Sequence, residues 1–206
     1  MKKKKISKNW LYKQKKDPFF KLSKIQGYRS RSAYKLIEMN EKFKFIKKNS
    51  LLLDLGSSPG GWSQVAKKEI LKGKILAVDI KNMEKINNVN FIEGDFRDQK
   101  TYKKIMLYFP SKIDIVLSDM AANTSGNKTL DSYRTGELCL NAMDLAIKIL
   151  KEDGVFLAKI FMGEIYNEIN EKAKNSFKRI VKYKPLSSKK ESKEIYIFCK
   201  GILKIW

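Results

Sequence analysis

The chain has 206 residues, enough for one ordinary domain and too few for two of normal size, and an apolar fraction of 43% marks it as a folded protein. A formal charge of +22 is more than an enzyme of small anions needs; lysine-rich composition accounts for part of it, and a polyanion partner for the rest. There is no histidine, only two cysteines (Cys139 and Cys199) and no apolar run of membrane-spanning length, which excludes imidazole chemistry, a disulfide scaffold, a zinc site and a transmembrane segment.

Residues 1 to 35 hold thirteen Lys or Arg and one acid, Asp17, interleaved with Trp10, Tyr12, Phe19, Phe20, Tyr28 and Tyr34. Basic residues mixed with aromatics suit RNA, through phosphate contacts and base stacking. Residues 1–28 are therefore expected to form a basic, RNA-contacting extension, and 29–206 the folded domain. The basic N-terminus has no apolar stretch behind it, so no signal peptide is expected and the protein is placed in the cytoplasm. From Ser32 to Phe43, Ala33, Leu36, Ile37 and Phe43 recur at helical spacing. Strands are expected at 51–55, 74–80, 89–94, 113–119 and 154–161, with helices at 62–71, 101–108, 130–151 and 163–175 between them. "SFKRIVKYKP" and "KEIYIFCKG" close the chain as two further strands. This alternation predicts an α/β fold with a seven-stranded, mostly parallel sheet and helices on both faces. The ligand then sits at the carboxyl ends of the strands, where strand order switches.

The first strand runs into "DLGSSPGGWSQ", a glycine turn followed by a helical pattern. A dinucleotide fingerprint would need a central glycine that the order Gly56, Ser57, Ser58, Pro59, Gly60, Gly61 does not supply. A Walker loop would need lysine where Trp62 stands. A turn without a phosphate signature suits a cofactor without phosphate, such as S-adenosylmethionine, whose sulfonium and amino groups are cationic. Acids stand ready for it: Asp54 and Asp79 at the ends of the first two strands, Asp95 after the third and Asp119 at the end of the fourth. Asp79 lies about twenty residues past the glycines, where an acid binds ribose hydroxyls; Asp95 is placed to reach the adenine. One such Asp is usually a strand-end or helix cap; four on consecutive strand ends are a ligand site. Trp62 reads as a residue packing on the sheet, or as a backbone and ring contact to the methionine end of the cofactor, and both readings stand together.

The motifs "GYRSRSAYKL", "DLGSSPGGWSQ", "EGDFRD", "SDMAAN", "AKIFMGE" and "SKEIYIF", in that order, resemble the FtsJ (RrmJ, RlmE) family, from about Asp17 to the C-terminus. The resemblance implies a Rossmann-like class I S-adenosylmethionine-dependent methyltransferase that modifies ribose 2′-OH groups of large-subunit ribosomal RNA. It implies a uridine target in 23S-type RNA, modified late in assembly of the large subunit; tRNA is the alternative acceptor, a non-catalytic RNA-binding assembly factor the remoter alternative, and a monomer without a metal is expected. The chain departs from the family at Ala122, where many members have proline. A Lys–Asp–Lys–Glu tetrad is implied at Lys35, Asp119, Lys159 and Glu194. Without histidine, lysine is the available base, and a neighbouring cation together with desolvation favours the neutral form of a lysine. By this resemblance Lys159, near the end of a core strand, takes or steers the 2′-OH proton and Lys35 orients the hydroxyl and crowds Lys159. Asp119 sits by the methyl and holds Lys159, and Glu194 fixes the lysines.

Overall fold

The structure, a computed structural model, describes residues 16–122, 125–163 and 165–203. Trp10, Tyr12 and the lysine-rich residues 1–15 lie outside the described residues. In chain order the elements are α1 (Pro18–Ile25), α2 (Ala33–Phe43), β1 (Leu51–Leu55), α3 (Gly61–Glu69), β2 (Lys74–Asp79), β3 (Asn90–Glu93), α4 (Gln99–Tyr108), β4 (Ile113–Ser118), α5 (Lys128–Ile149), β5 (Leu150–Phe161), α6 (Tyr166–Ser176), β6 (Phe177–Tyr183) and β7 (Glu194–Ile202). The strands form one sheet in the order β3-β2-β1-β4-β5-β7-β6, in which only β7 runs against the others. No helix of the described residues is long and apolar enough to cross a membrane.

All seven expected strands are present, and the helices between them begin and end within a few residues of their expected limits. Helix α1 was not expected, because it falls in the basic stretch read as an RNA-contacting extension. Its start has a local cause: Asp17 caps it, with Oδ1 accepting from the N–H groups of Phe19 (3.0 Å) and Phe20 (3.2 Å), and Pro18 opens the first turn. Tyr28 and Tyr34, read above as candidate stacking rings, are core residues at 6% and 8% exposure. Burial removes them from RNA contact.

Alternation along the strands divides the core between two faces. Leu53, Leu55, Val116, Phe156, Ala158 and Ile160 face the layer containing α4, α5 and α6. Leu52, Ile115, Leu117, Val155, Leu157, Tyr196 and Phe198 face α2 and α3. Lys159 continues the 155, 157 row, and Glu194 the row of Tyr196 and Phe198. The period of two thus delivers both charged side chains to the face covered by α2, where Lys35 lies.

Strand order switches between β1 and β4. Beyond their last paired residues, Leu55 and Ser118, the glycine turn crosses the end of β4. Gly56 has φ +72°, and a Cβ there would lie 2.3 Å from Met120 Cγ and 3.2 Å from Met120 Cα. Both the backbone conformation and the close approach require glycine. Gly56→Ala is expected to destabilise the protein by about 1–3 kcal/mol in urea unfolding; an unchanged midpoint would show that the turn has room to spare.

Candidate active site

A cleft of about 530 Å³ opens at the switch point, lined by Gly56, Asp79, Asp95 and Asp119 among others. Three of the four expected acids therefore share one wall. Asp79 accepts the Ser58 N–H (2.9 Å) on one oxygen and the Lys81 N–H (2.8 Å) on the other. Asp95 is held by its own neighbour: Arg97 Nε lies 2.9 and 3.1 Å from its two oxygens and Nη2 2.5 Å from Oδ2. That hydrogen bonding keeps the Asp95 carboxyl below the usual carboxylate range. Sequence reasoning left Arg134 out of the site, and it lines the same cleft with Glu137 and Leu138.

Asp54 lies beneath the cleft, 1% exposed. Its Oδ2 accepts the Ser63 hydroxyl at 2.6 Å, while Oδ1 is buried with no hydrogen-bond partner among the described residues. Burial pushes its carboxyl up to about 7; the Ser63 bond opposes the shift, and the negative charges of Asp119 and Asp79 add to it.

The glycine turn itself is covered from outside by the "YRSRS" segment. Arg29 donates to the carbonyls of Pro59 (3.2 Å), Glu84 (2.6 Å) and Lys85 (3.0 Å). A Cβ on Gly60 would lie 3.0 Å from Arg29 Nη1, and one on Gly61 would lie 2.4 Å from Ser30 Oγ. The Trp62 indole N–H donates to Ser32 O at 2.9 Å, and its ring packs 5.8 Å from that of Tyr196. At 2% exposure the ring belongs to the core, which is the packing reading. The backbone N–H groups of Gly61 and Trp62 open α3 and have no intrahelical acceptor.

Beside the cleft the structure gathers Lys35, Asp119, Lys159 and Glu194 into two ion pairs. Lys35 Nζ meets Glu194 Oε1 at 2.5 Å, and Lys159 Nζ meets Asp119 Oδ1 at 3.1 Å. Lys159 also donates to the Asp119 backbone carbonyl at 2.8 Å. Lys35 and Lys159 are buried, so deleting one member of a pair leaves a poorly solvated charge, a cost of about 3–5 kcal/mol. Tyr196, which sequence reasoning passed over, links the pairs. Its hydroxyl donates to Asp119 Oδ1 at 2.9 Å, and its ring centroid is 5.7 Å from Lys35 Nζ. Burial and then the charges of Asp119 and Glu194 hold the Tyr196 phenol well above its ordinary pKa, so it remains a donor. The signal that could have found it is alternation: two residues past Glu194, it must share that face.

The loop leading into Glu194 is anchored from the same helix. Lys35 is flanked on its side of the chain by Arg31 and Glu38, four residues before and three after. Arg31 donates to Ser187 O (2.7 Å) and pairs with Asp17 (2.9 Å). Glu38 accepts from the Tyr183 hydroxyl, from the Leu186 N–H (2.7 Å) and from the Ser187 N–H and hydroxyl (both 3.1 Å). Burial acts to raise the Glu38 pKa, and these hydrogen bonds outweigh it and leave it lowered. The departure at Ala122 also has a local counterpart: its N–H donates to Thr135 Oγ1 at 3.1 Å, a bond that proline cannot make.

The chain resembles known proteins over most of its length. Residues 28–202 match the model of the FtsJ-like methyltransferase family. Ribosomal RNA large subunit methyltransferase E of Pelagibacter ubique (strain HTCC1062) is 48% identical over 200 residues, covering 97% of this chain and 98% of the relative. The protein of the same name from Rickettsia akari (strain Hartford) is 46% identical over 195 residues, 92% of this chain and 86% of its own length. A crystal structure of a ribosomal RNA methyltransferase from Plasmodium falciparum superposes with a TM-score of 0.76 at 36% identity, covering 85% of this chain and 99% of that one. With its family model matched across most of its length and relatives this similar, the chain belongs to the FtsJ-like methyltransferase family.

Proposed function

We propose that this chain methylates the 2′-oxygen of a uridine ribose in 23S-type large-subunit ribosomal RNA, with S-adenosylmethionine as donor. It works as a cytoplasmic monomer late in large-subunit assembly, and residues 1–28 add phosphate contacts. The observation that carries this reading is the pair of buried Lys–carboxylate contacts meeting an acid-lined cleft at a single residue, Asp119.

The residues fit the donor. Asp54 Oδ1 is buried without a hydrogen-bond partner among the described residues, and the charges of Asp119 and Asp79 act on it, so positive charge is favoured there. Asp54 and Asp119 would hold the cationic end, Asp79 the ribose hydroxyls and Asp95 the adenine. The N–H groups of Gly61 and Trp62 would hold the carboxylate, while Gly56, Pro59 and Gly60 keep the turn tight against it. When bound, S-adenosylmethionine supplies an electrophilic methyl group on a cationic sulfonium.

Around the acceptor ribose the chain does four things. Lys159, held by Asp119 through side chain and backbone, steers the 2′-OH proton, or takes it with its amine in the neutral form, as the oxygen would displace sulfur from the methyl carbon. Lys35 orients the hydroxyl, and Glu194 fixes Lys35. Asp119 keeps Lys159 beside the methyl. Much of the rate follows from holding two reactants in line.

The direct test offers methyl-labelled S-adenosylmethionine with unmodified large ribosomal subunits, naked large-subunit RNA and bulk tRNA, then maps label by resistance of the adjacent bond to alkali. Ribose label in large-subunit RNA is expected; label only in tRNA, or none, contradicts the reading. Lys159→Met is expected to slow transfer at least about 100-fold while leaving cofactor affinity within about threefold. A variant that retains the wild-type rate removes Lys159 from the chemistry.

Asp54 makes a separate prediction for the cofactor-free protein. Its folded pKa of about 7 lies above the unfolded value of 3.8, so the stability it contributes is present below pH 3.8 and is lost as pH rises through 7. Asp54→Asn does not titrate. Its stability advantage over wild type should therefore open between about pH 4 and pH 7, reach about 4 kcal/mol and stay constant above. Melting curves from pH 4 to 8.5 decide it, and a difference independent of pH would show that Asp54 is ionised throughout.

A further inference from the structure

A second concavity, of about 370 Å³, lies at the opposite end of the sheet from the cleft, where β5 begins and β7 ends. Its apolar floor is built from Phe43, Phe45 and Phe198, the first stacked on the third at a centroid distance of 4.3 Å. Five cations (Lys44, Lys47, Lys151, Arg179 and Lys200) and two acids (Asp114 and Asp153) line it. Lys151 is paired with Asp114 at 2.6 Å. Lys44, Lys47, Arg179 and Lys200 are exposed, and among the described residues no acidic side chain pairs with them.

Arg179 and Lys200 are also direct cross-strand partners in the β6–β7 ladder. Like charges placed opposite each other on an antiparallel pair are destabilising. The free protein therefore holds two like charges side by side, with Glu152 and Asp153 lining the adjoining surface, in a groove whose cations outnumber its acids. An anion between the two side chains would relieve their repulsion, and a chain of phosphates would meet Lys44 and Lys47 as well.

We propose that this groove docks the phosphate backbone of a ribosomal RNA segment remote from the methylated nucleotide, an inference that rests on the RNA substrate proposed above. Eight residues of β5 separate Lys151 from Lys159, up to about 26 Å at the rise of a strand. A hairpin shorter than that distance, held at the cleft, does not extend around the domain to this end. A large folded RNA does, so the groove selects for the intact structured substrate over a fragment bearing the same target.

The test uses the full chain. Lys47→Glu/Arg179→Glu/Lys200→Glu is compared with Lys100→Glu/Lys103→Glu/Lys104→Glu, the same charge change on exposed positions of α4. Affinity is measured against KCl concentration for naked full-length large-subunit RNA, for large subunits and for a short target hairpin. The groove triple is expected to lose about tenfold or more on both large substrates, with a salt slope shallower by about one to three, and to match wild type on the hairpin. The α4 triple is expected to stay within about threefold of wild type. Equal losses in the two triples would reduce the effect to net charge and overturn the proposal, as would unchanged affinity. A loss confined to protein-containing subunits would also overturn it, in favour of an acidic ribosomal protein.

Lys200→Glu alone guards against misfolding, because it converts the Arg179 repulsion into an attraction. Its melting temperature should hold or rise while long-RNA affinity falls about threefold or more; a melting change without an affinity change overturns the proposal. Wild-type methyl transfer in the same preparations separates the two readings. If the wild type transfers no methyl to RNA the functional reading fails, and if it does while the variants bind normally only the groove fails.

Discussion

Asp119 is the residue on which the site turns. It stands just past β4, at the point where strand order switches, and it belongs to two systems at once. One oxygen accepts Lys159 and Tyr196 together, its backbone carbonyl accepts Lys159 again, and its side chain lines the cleft. Removing that partner from the buried Lys159 leaves a charge without compensation, a cost of about 3–5 kcal/mol. The glycine turn follows from the same place, because Gly56 must pass the residue after Asp119 at a distance no Cβ allows. Cleft wall, lysine–carboxylate cluster and turn are thus fixed against one carboxylate.

The charge of the molecule is sorted by location. The chain as a whole carries +22, yet the cleft wall gathers Asp79, Asp95 and Asp119 over a buried Asp54. An anionic substrate drawn to the protein by long-range attraction meets local negative potential only where a cation is to sit. Next to it the two lysines are each matched by a carboxylate, so the catalytic corner is close to neutral while remaining rich in donors. In the basic groove at the other end of the sheet Lys151 is matched by Asp114, while Lys44, Lys47, Arg179 and Lys200 have no acidic partner among the described residues.

Much of the fold could be read from the chain because parallel strands buried on both faces appear as apolar runs, as in "LLLDL" and "IDIVLSD". The strand-end acids were legible for the same reason, since each follows such a run. Other features were hidden for physical reasons. Helix α1 packs only Phe19 and Leu22, both partly buried, against the core, and its clearest signal was the Asp17–Pro18 cap. Tyr28 and Tyr34 resembled RNA-stacking rings because their burial depends on α3 and the sheet, far away in sequence. Tyr196 looked like one more apolar residue of a strand. Arg31 and Glu38 act through a loop about 150 residues away, a pairing that no local pattern reveals.

The central claim is that Lys35–Glu194 and Lys159–Asp119, joined through Tyr196, act as one unit on the 2′-hydroxyl. The measurement that tests it is the single-turnover rate of methyl transfer, at saturating cofactor and RNA, for Lys35→Met, Lys159→Met and the double variant. Groups that act as a unit are strongly non-additive. The double variant should be about as slow as the slower single one; losses that multiply would mean that the two lysines act independently.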